Sequence, residues 1–123
     1  MTMTSRITSA SVKVKRIYEP RKKSDGTRIL VDRLWPRGLS KQRAAIDEWM
    51  KDVAPSDALR KWFGHDPAKW SEFRTRYRAE LKRKPEQLKR LRALARGGSV
   101  TLVYSAHDEK HNNAVALRNV LLR

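Results

Sequence analysis

Two short apolar segments separated by a long helical stretch constrain the fold more than any other feature of this chain. Residues 28–34 read RILVDRL and residues 99–104 read SVTLVY, and both are typical of buried β-strands. Between them, apolar residues recur at helical spacing, as at Trp70, Phe73 and Tyr77. A strand, a helical crossover and another strand favour a parallel pair, so we predict an α/β fold.

The other segments predict a small, partly parallel sheet flanked by helices. Residues 11–18 alternate valine with lysine, which indicates a strand with one solvated face. A tight turn at Asp25 and Gly26 makes a hairpin-like connection to the next strand one interpretation. Asp108 is the predicted N-cap of the last helix.

Length and composition limit the class of protein. A chain of 123 residues suits one compact domain, and we predict a flexible N-terminal end over residues 1–9 and a single α/β domain over residues 10–123. There is no cysteine, no apolar run long enough for a membrane span and no apolar middle of a secretory signal near the start. We therefore expect a cytoplasmic protein without a cofactor or a membrane partner.

The charge is strongly positive, with 29 lysine and arginine residues against 13 acidic residues and a formal net charge of +16. Such a charge attracts polyanions, including nucleic acid and anionic substrates. Arg74, Arg78, Lys82 and Lys89 could line an outward helix face that contacts phosphates, which makes non-specific binding of nucleic acid one candidate function. The alternative is a solvated helix face with no partner, or a basic surface that serves only solubility.

The sequence WPRG at residues 35–38 follows the first buried strand. In open α/β sheets, ligands bind outside the carboxyl ends of the strands. Pro36 fixes its own backbone angle and Gly38 allows turns that other residues avoid, so together they can hold Arg37 at the mouth of a pocket. Trp35 would form a wall of that pocket.

Arg33 and Arg37 are the candidate anion-binding residues of this corner. The planar fork of arginine binds carboxylate or phosphate with paired hydrogen bonds, and the start of the last helix offers further backbone donors. We therefore predict a small anionic ligand. The alternative is a buried arginine paired with Asp32 or Asp108, with Trp35 in the core.

The second buried strand runs into SAHD at residues 105–108. If the two strands are parallel neighbours, both strand ends lie at the same edge of the sheet, and Ser105, Asp108 and Asn112 become candidate ligand-binding residues. The amide of Asn112 could equally lie in solvent. Ser105 beside His107 resembles a nucleophile and a base, but no glycine elbow or third member accompanies them.

His65 and His111 are candidate catalytic residues. Asp66 directly follows His65 and Asp108 precedes His111 by three residues, so each acid could orient its imidazole for proton transfer. Both acids could instead cap helices. His107 and His111 have the spacing of two zinc ligands on one helix face. The glutamate of a His-Glu-x-x-His motif is missing, so we predict no metal, and whether the protein is an enzyme stays open.

Three blocks, at residues 28–41, 54–81 and 100–121, resemble the small bacterial proteins of domain of unknown function 488, in its YeaO-like branch. They read RILVDRLWPRGLSK, APSDALRKWFGHDPAKWSEFRTRYRAEL and VTLVYSAHDEKHNNAVALRNVL. The resemblance covers nearly the whole chain and implies a compact α/β domain, with no particular reaction.

The family pattern maps onto several of the candidate residues. It covers Asp32, Arg33 and residues 35–38, then residues 62–63 and 65–67, and finally Asp108, His111 and Asn112. A lysine often stands in that pattern where this chain has His107, which argues further against a three-histidine metal site. The resemblance adds His65 to the predicted site at the strand ends.

Overall fold

Four parallel β-strands form one sheet. A computed structural model describes residues 7–123 of the chain. The strands are β1 (Val12–Arg16), β2 (Thr27–Leu30), β3 (Glu48–Trp49) and β4 (Val100–Tyr104). Their spatial order is β1-β4-β2-β3, and every neighbouring pair is parallel. The predicted α/β class and the predicted parallel pairing of the two buried strands are therefore confirmed.

The first two strands do not form a hairpin. β4 lies between them, with Val12 of β1 and Thr27 of β2 both in register with Val100. Residues 17–26 must therefore return the chain from the carboxyl edge of the sheet to its amino edge. The interpretation of this segment as a hairpin-like connection was wrong, because a strand from the end of the chain occupies the position beside β1.

Five α-helices accompany the strands within residues 7–123; four lie between β2 and β4 and one follows β4. They are α1 (Lys41–Ala44), α2 (Asp57–Phe63), α3 (Trp70–Leu81), α4 (Pro85–Gly97) and α5 (Asn113–Leu121). The predicted start at Asp66 is confirmed, since its carboxylate accepts a hydrogen bond from the backbone N–H of Ala68. The predicted cap of the last helix was wrong: Asn112, not Asp108, accepts the hydrogen bond from the N–H of Val115.

The sheet has a buried cluster on each face. Ile29, Val31 and Leu102 belong to the larger core, which the residues of α2 to α5 complete. Leu30 and Val103 point to the opposite face and pack in a smaller cluster with residues of the 17–44 region. The strands are thus buried on both sides, as parallel strands between covering layers are.

Residues 1–6 of the predicted flexible end lie outside the described residues. Ile7 packs against the larger core, and the backbone O of Ser9 accepts a hydrogen bond from Arg118 at 3.0 Å. The boundary between an N-terminal end and a domain at residue 10 stays a prediction. Within residues 7–123, no helix combines the length and the apolar character that crossing a membrane requires.

Candidate ligand-binding cleft

A cleft of about 240 Å³ opens where β2 and β4 end. Asp32 follows β2 and Ser105 follows β4, and both line the cleft. The Asp32 Oδ2 atom accepts hydrogen bonds from the N–H of Ser105 at 2.9 Å and from its hydroxyl at 2.8 Å. The two strand ends that the sequence predicted to lie side by side are therefore joined directly.

The half-buried carboxylate of Asp32 is fixed from two sides. Asn113 donates from Nδ2 to Asp32 Oδ1 at 3.2 Å and to the carbonyl of Val31 at 3.0 Å. Burial raises the pKa of Asp32 above its usual value, against the opposing effects of the Ser105 and Asn113 hydrogen bonds and of the charge of His65. The sequence analysis mapped the family pattern onto Asp32 and considered its side chain as a partner for arginine, but not as a residue of the site; its place directly after a buried strand was the available signal.

Three arginines border the cleft. Arg33 lies 3.8 Å from Asp57, and Arg60 lies 3.5 Å from the same carboxylate. Arg37 is exposed and forms no ion pair within residues 7–123, while its carbonyl accepts a hydrogen bond from the hydroxyl of Tyr18. Arg60, on the exposed face of α2, was missed because nothing local in the sequence directs it toward the strand ends.

The walls of the cleft are aromatic. Trp35 lines one side; its Nε1 donates to the carbonyl of Leu39 at 2.6 Å and its ring meets Trp49 edge-on at 5.3 Å. Phe63 and Phe73 line the other side, stacked with ring centroids 4.3 Å apart. Trp35 also packs against the smaller cluster, so it is both a cleft wall and part of the core.

His65 lines the cleft in an unusual backbone conformation. Its φ of 58° follows a φ of 55° at Gly64, so two successive residues are left-handed. A histidine in this region is uncommon, and such strain is concentrated at functional sites. Asp66 does not orient the ring, because its carboxylate caps the turn that follows.

His111 forms the predicted pair with an acid, but outside the lining of the cleft. Its Nδ1 lies 2.9 Å from Asp108 Oδ2, and its ring meets Trp70 edge-on at 5.3 Å. The hydrogen bond from His111, with others from the backbone of Lys110 and His111, lowers the pKa of Asp108 to about 2. His111 and Asp108 are therefore separated from the arginines that line the cleft.

Of the remaining candidate residues, some line the cleft and others lie outside its lining. Asn112 lines the cleft, but its amide is used to cap α5 and to donate to the carbonyl of Asp108 at 2.9 Å. Gly38 has a φ of 72°, which a turn at this corner requires, and lies outside the lining. His107 is exposed and precedes α5, so it does not share a helix face with His111.

No group of three or more potential metal ligands occurs among the residues that the structure describes. The alternative of a buried arginine paired with Asp32 or Asp108 was wrong. Within residues 7–123 the buried arginine is Arg28, which pairs with Asp25 at 2.9 Å.

Comparison with known proteins shows the family. The chain belongs to the DUF488 proteins: the family model described as the inactive DUF488-N3 subclade matches residues 11–123. It is 44% identical over 111 residues to the uncharacterized protein YeaO of Escherichia coli, covering 90% of this chain and 96% of that protein. It is 40% identical over 110 residues to the uncharacterized protein Rv3073c of Mycobacterium tuberculosis, covering 89% and 92% respectively. No solved structure matches this chain.

Proposed function

We propose that this protein binds a small anionic ligand, bearing phosphate or carboxylate, in the cleft where β2 and β4 end. The observation that carries the proposal is the convergence of Arg33, Arg37 and Arg60 on one aromatic-walled hollow. Guanidinium groups bind such anions through paired, charge-assisted hydrogen bonds. A cleft of about 240 Å³ has the volume of roughly eight water molecules, so the ligand is of metabolite size.

Binding without turnover is the form of this function that the site favours. The acid–base pair of His111 and Asp108 lies outside the cleft lining, and the His65 imidazole has no carboxylate to orient it within the described residues. The family description also names the matching subclade inactive. The proposed role is therefore that of a ligand-binding protein, acting in the cytoplasm as the cysteine-free composition predicts.

Calorimetric titration of inorganic phosphate into the protein at constant ionic strength tests this function. Arg37→Ala should weaken phosphate binding about tenfold, since it removes a charge-assisted pair of hydrogen bonds. The matched control is Arg96→Ala, which removes the same charge from an exposed position on α4 and should leave the affinity unchanged. Equal losses in both variants would mean general charge attraction and contradict a site at the cleft.

Non-specific binding of nucleic acid is the second candidate function. Lys82 and Lys89 are exposed and form no ion pair within residues 7–123, as this function requires. Phe73 and Tyr77 are buried in the core, so α3 offers neither of them for stacking on bases. Three results would support this function. The affinity for single-stranded DNA should fall steeply with salt, should be the same in Arg37→Ala as in the wild type, and should drop in a Lys82→Ala/Lys89→Ala variant.

A further inference from the structure

We propose that the ligand is a short zwitterion, with an ammonium group that binds Asp32 and an anionic group that binds the rim arginines. The inference rests on the proposed function and states which kind of anion the cleft prefers. Asp32 is then the residue that distinguishes an amino-substituted anion from a simple one. The argument starts from the unused hydrogen-bonding capacity of its carboxylate.

The carboxylate of Asp32 has an acceptor position to spare. Its Oδ2 accepts two hydrogen bonds from Ser105, whereas its Oδ1 accepts one, from Asn113. An ionised carboxylate offers about four acceptor positions. Because Asp32 lines the cleft, we infer that a bound molecule can use this remaining capacity.

Asp32 also lacks a direct ion pair, although the charge of His65 acts on it. No lysine, arginine or histidine forms an ion pair with it within residues 7–123, although Arg33 is its neighbour in sequence. Burying a carboxylate is costly, and the raised pKa of Asp32 shows that its hydrogen bonds and the charge of His65 do not fully offset that cost. An ammonium group of a ligand would supply the missing charge.

The charge distribution of the cleft excludes simpler ligands. A plain cation would be repelled by the rim arginines, whose one neighbouring carboxylate is the exposed Asp57. A plain anion would fill the rim and leave Asp32 without an ion-pair partner. A molecule with both charges, joined by a short aliphatic chain, satisfies both ends and places its methylene groups against Trp35 and Phe63.

Two phosphate monoesters of matched shape test the inference. Phosphoethanolamine carries an ammonium where propyl phosphate carries a methyl group, and both share the phosphate. The wild type should bind phosphoethanolamine about tenfold more tightly, as expected for a hydrogen bond between charged groups. Asp32→Asn should reduce that ratio to near one, whereas Arg37→Ala should weaken both ligands and leave the ratio unchanged.

The outcomes separate this inference from the function on which it rests. Equal affinity of the wild type for the two esters would overturn the zwitterion and leave anion binding intact. Failure of both esters and of inorganic phosphate to bind would overturn anion binding as well. A preference that survives Asp32→Asn would show that another group binds the ammonium, which also overturns the assignment.

A pH series on the wild type covers the case in which Asp32→Asn does not fold. The ammonium of phosphoethanolamine lowers the second pKa of its own phosphate, so each affinity is first corrected for the separately titrated phosphate of its ester. The corrected affinity ratio should then fall toward one as acid neutralises Asp32, whose pKa burial raises. The series is repeated in His65→Gln, because that imidazole also lines the cleft, and the fall should persist. Burial raises the pKa of Tyr77, so its hydroxyl stays protonated throughout the series. A ratio independent of pH would overturn the role of Asp32.

Discussion

The buried guanidinium of Arg28 holds separate segments of this small fold together. The side chain is fully buried; its Nη1 lies 2.9 Å from Asp25, and its Nη2 donates to the carbonyls of Ala44 at 2.9 Å and Ile17 at 3.3 Å. One guanidinium thus ties the returning segment and α1 to β2. Burial acts to raise the pKa of Asp25, but hydrogen bonds from Lys15, the backbone of residue 22 and Arg28 outweigh it and lower that pKa to about 2.

Replacing Arg28 with methionine should therefore cost far more stability than replacing an exposed arginine. Arg28→Met removes one of the two cations paired with Asp25, leaving Lys15, and takes the donor from two buried carbonyls. We therefore expect a loss of about 3–5 kcal/mol in the free energy of unfolding by urea. Arg21→Met is the matched control, because Arg21 pairs with Asp47 at 3.0 Å but both side chains are more than 40% exposed. Its loss should stay below about 1 kcal/mol.

The double variant Arg28→Met/Asp25→Asn distinguishes a charge effect from a packing effect. Removing both charges should recover only part of the loss, because the buried carboxylate no longer lacks Arg28 but the ammonium of Lys15 loses its partner. Equal losses for Arg28→Met and Arg21→Met would contradict the structural importance of the buried pair. The sequence alone placed Arg28 at the start of an apolar strand and gave no sign of its partner.

At the scale of elements, the amino edge of the sheet depends on a close backbone approach. Gly26 has a φ of 63°, and a Cβ atom there would lie 2.2 Å from the carbonyl O of Ser99. The same carbonyl accepts the hydrogen bond from the N–H of Thr27 at 3.0 Å, where β2 begins beside β4. A side chain at residue 26 would force the two segments apart.

Two glycines with positive φ differ in what a side chain would cost. Gly64→Ala, in the left-handed helical region with the nearest atom 3.6 Å from the added Cβ, should lose about 1–2 kcal/mol from left-handed strain alone. Gly26→Ala should lose clearly more, because its φ of 63° is combined with a ψ of -133°, outside that region, and because the Cβ also displaces Ser99. Urea unfolding of both variants measures the difference, and similar losses would show that the backbone around residue 26 relaxes at little cost.

Local patterns predicted most elements but not their neighbours. Ser56, Gly64 and Asp66 delimit helices through side-chain caps and a left-handed turn, which are properties of a few adjacent residues. The position of β4 between β1 and β2 depends on contacts between residues far apart in the chain. For that reason the hairpin expectation failed, while the parallel pairing of β2 and β4, which follows from the crossover rule, succeeded.

The residues of the cleft were also predictable only where local patterns identify them. Arg33, Trp35, Arg37 and Ser105 were predicted because strand ends are identifiable in the sequence. The place of Arg60 in the cleft depends on which helix covers the carboxyl edge of the sheet. The role of Asp32 depends on which donors reach its carboxylate. Asn113 illustrates this: its sequence neighbour Asn112 caps the helix, and only the fold shows that Asn113 is the one that contacts Asp32.

At the scale of the whole molecule, a net charge of +16 repels itself. Exposed pairs such as Arg76–Glu72 and Arg90–Glu48 leave that net charge unchanged, since it already includes their acids, and their own attraction is weak because they are solvated. Salt should therefore stabilise the protein by screening. That general effect must be separated from the specific binding of an anion in the cleft, which would also raise the melting temperature.

Comparing anions at equal ionic strength separates the two effects. Added sodium chloride should raise the melting temperature of the wild type and of Arg37→Ala alike, since screening acts on the whole charge distribution. Replacing chloride with phosphate should add a further rise that is clearly larger in the wild type than in Arg37→Ala, because a ligand that binds the folded state stabilises it more the further its concentration exceeds its Kd. Differential scanning calorimetry measures both rises in melting temperature. An additional rise of the same size in Arg37→Ala would place the phosphate elsewhere on the basic surface and remove the cleft as its binding site.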